Sequence, residues 1–294
     1  MSRGALLIVN PSAGGGRADS LVPEVESALW AAGIESRTER TRNIEHAREL
    51  AQIARDGSML AITLGGDGLV GCVAGVLAES DAVLGVLPGG RGNDFARVLG
   101  IPKDIGPACD VVLEGRERLI DIGDAAGRPF IGIASCGFDS EANRIANETR
   151  LLKGDLVYAY GALRALASWK PARFEIELEL DEREVLSFSG YSVAAANSKA
   201  YGGGMFIAPG AELDDGLLDV VMTGRATRRR FVMDLPKVFE GRHVDSPAVK
   251  IVRARSVRVS ADRPFTMFAD GDPIGDLPMT VRARHHALRV MAPA

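Results

Sequence analysis

MLAITLGGDGLVGCVAGVLAESDAVLGVLPGGRGNDFAR, residues 59 to 97, carries the pattern from which the fold follows. Met59–Leu64 is an apolar run of strand length that stops at Gly65-Gly66-Asp67-Gly68. Leu69–Leu77 is apolar with small residues and reads as a helix. Val83–Leu87 repeats the strand pattern and enters Pro88-Gly89-Gly90-Arg91-Gly92-Asn93-Asp94, after which a helix begins near Phe95. Short apolar runs bounded by glycine fit strands buried on both faces. Strand, glycine turn, helix and strand in succession predict parallel strands covered by helices.

The same grammar extends upstream. Ala5–Val9 is a short apolar run that stops at the loop Asn10–Gly16. Leu21, Val25, Ala28, Leu29 and Ala32 share one helical face, and Gly33 ends that helix. A strand is predicted near Ile34–Arg40 and a second helix over Ile44–Ala54. Downstream, the pattern changes around Leu119–Asp124. Phe174–Leu180 alternates strictly, as a strand with one wet face does. Tyr191–Ala196, Leu217–Met222, Lys250–Arg255, Val257–Val259, Thr280–Arg284 and Ala287–Met291 also read as strands. Helices are expected near Ser140–Asn147, Leu156–Ser168 and Thr227–Glu240. The expected fold is therefore α/β over residues 1–124, with a mostly parallel sheet, followed by a β-rich domain over 125–294.

Composition bounds the function. The chain has 294 residues, 46% hydrophobic and 25% charged, enough to bury a core. A net charge of −4 offers no global attraction to nucleic acid or to an anionic membrane, so any basic docking surface is local. Cys72, Cys109 and Cys136 are too few and too scattered for a disulfide framework or a zinc site, and read as reduced packing residues. The apolar run Ala5–Val9 is too short for a signal peptide, and no segment approaches a membrane span.

Glycine turns after parallel strands suit phosphate, because the backbone can approach closely and helix-start amides point at the anion. This chain has three: Asn10–Gly16, Gly65–Gly68 and Gly89–Asn93. In a parallel sheet all three open at the carboxyl edge, where they can converge on one nucleotide. Gly66, Gly68 and Gly71 satisfy G-x-G-x-x-G, but no acid ends the next strand at Val86-Leu87-Pro88, so a dinucleotide site is disfavoured. No P-loop motif is present.

Leu7-Ile8-Val9-Asn10-Pro11, Gly65-Gly66-Asp67-Gly68 and Leu84–Arg97, with G-N-D-F-A-R at 92–97, resemble the bacterial diacylglycerol kinases. These are related to sphingosine and ceramide kinases and more remotely to NAD kinases. The resemblance continues through Gly137-Phe138-Asp139, Asp215–Asp219 and Asp270-Gly271-Asp272. It implies a nucleotide-binding N-terminal domain, a C-terminal β-sandwich, and an active site in the cleft between them. It implies that Asn10, Thr41, Gly65, Gly66, Asp67, Gly68, Gly90, Arg91, Gly92 and Asn93 surround ATP, with Asp67 also part of the catalytic set. It implies that Asp270 is the general base. It also implies a structural Mg²⁺ held by Asp215 with the carbonyls of Glu212 and Leu217. Without the resemblance, Asp270-Gly271 reads as a hairpin turn, and Glu212–Leu217 as an acidic turn. Asp67 is either a helix cap or a water-mediated Mg²⁺ contact near the phosphates.

Several positions depart from the family pattern. Leu69, Val70, Gly71 and Cys72 follow G-G-D-G where polar residues are usual, Arg91 replaces a hydroxyl residue, and Asp272 is one methylene shorter than the common Glu. The resulting expectation is an ATP- and Mg²⁺-dependent lipid kinase, cytoplasmic and peripheral at the inner face of the cell membrane. Diacylglycerol leads as substrate. A sphingoid or other lipid alcohol, a soluble-substrate kinase of the NAD kinase kind, and a non-catalytic nucleotide or lipid binder stay open. A homodimer stays open as an assembly, and nucleic acid is not an expected partner. Arg225, Arg228, Arg229, Arg230, Lys237 and Arg242, near Phe231, Val232, Leu235 and Phe239, form either an anionic-lipid surface or an ordinary solvated helix face. Tyr201–Met205 is expected as a flexible loop bordering the lipid pocket.

Overall fold

The computed structural model describes residues 4–138, 140–141, 145, 164–165 and 169–294. Its first layer contains β1 (Ala5–Val9), β2 (Ser36–Arg40), β3 (Leu60–Gly65) and β4 (Val83–Pro88), paired in parallel in the order β4-β3-β1-β2. β1, β3 and β4 are buried at every position, which is why their sequences show no polar face. β2 lies at the edge and is polar and partly exposed. The chain steps one way along the sheet from β1 to β2 and the other way from β2 to β3 and β4. Right-handed crossovers then place α1 (Arg17–Ala31) on one face, and α2 (Ile44–Asp56) and α3 (Asp67–Leu77) on the other. Accordingly α2 packs on α3, and α1 packs on α5 (Ile105–Glu114). The reversal of direction parts the connections after β1 and β3 and leaves a crevice at the carboxyl edge of the sheet.

β5 (Arg116–Ala125) and β6 (Arg128–Phe130) lead out of this layer. The β-rich part is β7 (Ile133–Gly137), β8 (Ala172–Glu179), β9 (Arg183–Ala196), β10 (Leu218–Gly224), β11 (Val249–Ala254), β12 (Ser256–Ala261), β13 (Thr266–Ala269) and β14 (Asp272–Asp276). Neighbouring strands there are antiparallel. β8 alternates buried and exposed residues, as its sequence foretold. The last strand, β15 (Met279–Ala292), crosses back over the division expected at residue 124. It runs antiparallel to β5 and also parallel to β4, through Arg289↔Val83 and Val290↔Leu84. Its first half contributes Met279 and Val281 to the core of the β-rich part. Its second half contributes Ala287, Leu288, Val290 and Met291 to the core of the first layer. One strand thus ties both cores together.

Three expectations need correction. Thr280–Arg284 and Ala287–Met291 are one strand whose register breaks between Arg284 and Leu288. The helix expected over Thr227–Glu240 ends early. Helix α6 spans Arg228–Asp234, and Leu235–Glu240 continues as a 3-10 helix. Pro236 lacks the amide needed for the α-helical ladder there. Strands β6, β7, β13 and β14 and helix α5 carried too little periodicity to be marked. The helices expected near Ser140–Asn147 and Leu156–Ser168, and Asp139 of the family motif, lie largely outside the described residues. No helix among the described residues is long and apolar enough to cross a membrane.

Candidate active site

The three glycine turns meet at the carboxyl edge, and the contacts between them require the absence of side chains. A Cβ on Gly90 would lie 2.5 Å from the Cα of Gly66, and one on Gly14 would lie 2.5 Å from the carbonyl oxygen of Gly89. The amide of Gly89 donates to the carbonyl of Gly65 at 2.8 Å. Asn10 closes the first turn on itself, its side chain accepting from the Ser12 amide at 3.1 Å. Thr41 follows β2 and donates its amide to the carbonyl of Val9 at 2.8 Å, beside Asn10. Asn93, in a left-handed conformation (φ 51°), makes a reciprocal pair with Gly90. The Gly90 amide donates to Asn93 Oδ1, and Asn93 Nδ2 donates to the Gly90 carbonyl, both at 2.9 Å. Its side chain therefore shapes the turn. Arg91 is exposed at the tip. Gly66 caps α3, and Gly68, in the first turn of that helix, faces open space.

Asp67 opens α3, and its Oδ1 accepts the amide of Phe95 at 3.0 Å. Phe95 lies in α4 (Asp94–Val98), so the carboxylate caps a neighbouring helix rather than its own. Gly92 sits over Asp67; a Cβ there would be 3.0 Å from Oδ2. Burial pushes the Asp67 carboxyl up from its ordinary range, the Phe95 amide opposes this, and the charge of Asp94 adds to the rise. Asp94 is itself buried. It accepts from Arg97 Nη1 at 2.5 Å and from the amide of Gly203 at 2.7 Å. The loop Tyr201–Met205 therefore closes on the glycine turns. Sequence reasoning gave Asp94 no role, because its partner amide comes from a loop 109 residues away. The G-N-D-F motif was the only available signal.

Asp270 reaches the same place from the β-rich part. Asp270 and Gly271 link β13 to β14 with φ of 49° and 94°, the two positive angles of a type I′ hairpin turn. The Asp-Gly turn anticipated as the plain alternative is real, and it aims the carboxylate inward. Asp270 Oδ2 accepts the Ile131 amide at 2.9 Å, and Oδ1 accepts Gly132 at 2.9 Å and Ile133 at 3.1 Å. Burial pushes its carboxyl up to about 6 against those three bonds, with a further rise from the charge of Asp67. Gly71 lies four residues after Asp67, on the same face of α3. A Cβ on Gly71 would be 3.6 Å from Asp270 Oδ2. This departure from the family pattern lets α3 approach Asp270 and the Ile131 side chain closely, with no side chain from the helix between them.

The acidic loop is held elsewhere, by Arg118 and Asp121 of β5 and by Arg253 of β11. Asp214 pairs with Arg118 at 2.8 Å. Asp215 Oδ1 accepts the Leu217 amide at 3.0 Å, whereas Oδ2 is buried with no hydrogen-bond donor; the Arg253 guanidinium stands 3.5 Å away. Glu212 is exposed. None of the hydrogen bonds or ion pairs among the described residues links this loop to Asp67 or Asp270.

Glycine turns meet at a switch point close to two carboxylates raised by burial, Asp67 and Asp270, an arrangement chemically able to hold phosphate. Residues 4–125 match the diacylglycerol kinase catalytic domain, and residues 132–292 match the YegS C-terminal NAD kinase beta sandwich-like domain. A diacylglycerol kinase of Mycobacterium tuberculosis is 34% identical over 250 residues, covering 83% of this chain and 80% of that protein. One of Bacillus subtilis is 32% identical over 281 residues, covering 93% and 91%. The chain belongs to the diacylglycerol kinase family and is a phosphotransferase. A solved diacylglycerol kinase structure from Bacillus anthracis str. Sterne superposes with a TM-score of 0.78 at 24% identity, over 99% of this chain and 97% of that one, which shows the shared fold.

Proposed function

We propose that the chain transfers the γ-phosphoryl group of ATP to the hydroxyl of a lipid, with diacylglycerol the first candidate. The observation that carries this reading is the placement of Asp270. Its carboxyl is raised to about 6 and electrostatically coupled to Asp67 across the gap from the three glycine turns. The amides of those turns and of the start of α3 hold the phosphates. The lipid oxygen attacks the γ-phosphorus, the bond to the β–γ bridging oxygen breaks, and ADP leaves. Asp270 takes the hydroxyl proton. A carboxyl near 6 is ionised by roughly ten to one at pH 7, yet is a stronger base than an ordinary aspartate.

The residues fit a divalent cation at two places. Asp67, Asp94 and Asp270 form a run of coupled carboxylates beside which Arg97 is the cation in contact. Asp67 would hold Mg²⁺ there, through water, and the ion would neutralise phosphate charge. Asp215 Oδ2, buried without a donor, would hold a structural ion with the carbonyls of Glu212 and Leu217. Support for a lipid acceptor comes from a cavity of about 530 Å³ that includes Trp169, Phe265 and Phe268 in its wall, with Lys170 and Arg263. It adjoins β13, the strand that delivers Asp270. Val232, Met233 and Phe239 are exposed near Arg229 and Arg242, and support contact with an anionic membrane.

Radiolabelled ATP incubated with Mg²⁺ and a mixed bacterial lipid extract tests the reaction. Labelled phospholipid, lost on adding EDTA, is the expected result. ATP binding with no labelled lipid would instead leave a nucleotide binder. The pH profile tests the base. A deprotonated Asp270 is needed, so kcat/KM is expected to fall about tenfold per pH unit below about 6. A profile flat down to pH 5 would exclude Asp270 as the titrating group.

A further inference from the structure

We propose that Asp121, His285 and His286 form a binding site for a borderline divalent transition metal such as Zn²⁺, Co²⁺ or Ni²⁺, separate from the nucleotide cleft. Consecutive strand side chains normally point to opposite faces of a sheet. Here they do not. The register of β15 breaks between Arg284 and Leu288, and His286 takes a left-handed conformation with φ 51°. The two exposed imidazoles stack with ring centroids 3.7 Å apart. Below them lies Asp121, fully buried on β5. One ligand atom from each of the three residues lies within 4.8 Å of the others.

The existing contacts hold that carboxylate ready. Asp121 Oδ1 lies 2.9 Å from His285 Nδ1 and accepts the His286 amide at 2.7 Å, and Oδ2 accepts the Gly216 amide at 2.6 Å. A single shared proton between His285 and Asp121 explains one imidazole. It leaves unexplained the second, brought alongside by a backbone conformation that non-glycine residues rarely adopt. Two imidazoles and one carboxylate on three fixed points suit Zn²⁺, Co²⁺ or Ni²⁺, whereas Mg²⁺ prefers an all-oxygen shell. In the bound form His285 presents the lone pair of Nδ1, so its ring proton sits on Nε2. The exposed rings give the ion access from solvent, and the fourth position is open to water. Because Gly216 follows Asp215, an ion here would also brace the acidic loop.

The test is calorimetric titration of the full, EDTA-treated and dialysed chain with ZnCl₂ in excess Mg²⁺, alongside His285→Ala, His286→Asn and the double variant. Asn tolerates the left-handed backbone while removing the imidazole. Thermal melting in EDTA verifies that each variant is folded. One equivalent of Zn²⁺ is expected to bind the parent chain, with affinity falling at least about tenfold in each single variant and the site lost in the double variant. The parent chain should show the visible absorption of low-symmetry Co²⁺, and the double variant should not. Failure of the parent chain to bind, or equal binding by the double variant, overturns the proposal. Neither readout depends on kinase activity.

Discussion

Asp270→Asn is expected to cut phosphoryl transfer by about a thousandfold while ATP binding and overall stability stay close to those of the parent chain. The first part follows from the base assignment, since general-base removal typically costs about 10²–10⁴ in rate. The second part follows from opposing effects at one carboxylate. The folded-state carboxyl is raised to about 6 from an ordinary value of 3.8. Such a group contributes stability that is present below about 3.8 and lost as pH rises through about 6. At pH 7 the ionised side chain therefore costs about 3 kcal/mol, to the order of magnitude. Asn removes that charge. It also turns an NH₂ group towards one of the three donor amides, Ile131, Gly132 or Ile133, at about 1–3 kcal/mol. The two effects nearly cancel. Denaturant melts at pH 7 and pH 5 would separate them, because the parent chain gains stability on acidification at this site and the variant does not. Steady-state transfer assays and nucleotide titration complete the test. Persisting transfer would remove Asp270 from its role.

That balance shows why part of the site was readable from sequence and part was not. The parallel strands and their turns announce themselves, because burial on both faces leaves only apolar residues and close backbone approach leaves only glycine. Asp270 was ambiguous for a physical reason: the same Asp-Gly pair that builds a type I′ turn also aims a carboxylate. Only the amides of residues 131–133, far away in sequence, show which way it points. Asp94 was hidden by its dependence on Gly203 and Arg97. The contact of the loop Tyr201–Met205 with the glycine turns was equally hidden, because the Gly203 amide donates to a buried acid that local sequence does not reveal. β15 looked like two strands because a bulge hides inside it. Gly71 looked like a defect in the family pattern until its neighbour across the cleft proved to be Asp270.

The glycine turns themselves yield the second large effect, through a contrast between Gly90→Ala and Gly68→Ala. Neither residue has a positive φ, so the argument is one of space. At Gly90 the new methyl group meets backbone: the Cα of Gly66 at 2.5 Å and its nitrogen at 3.1 Å. No side-chain rotation relieves this, so the turns after β3 and β4 must separate by roughly 1 Å to restore van der Waals contact. Both turns position the amides proposed to hold phosphate. A displacement of that size typically costs about a hundredfold in rate, and the overpacking costs about 1–3 kcal/mol of stability. At Gly68 nothing lies within 4 Å, and the residue is helical. Alanine there should stabilise the fold by up to about 1 kcal/mol through helix propensity. The empty space over Gly68 is where the proposal puts the polyphosphate, however, so the same methyl group should weaken ATP binding. Gly90→Ala is thus expected to lose stability and nucleotide affinity together, and Gly68→Ala to lose affinity alone. Melting curves and nucleotide titrations on the two variants distinguish these outcomes. Unimpaired ATP binding by a well-folded Gly68→Ala variant would move the nucleotide away from the start of α3.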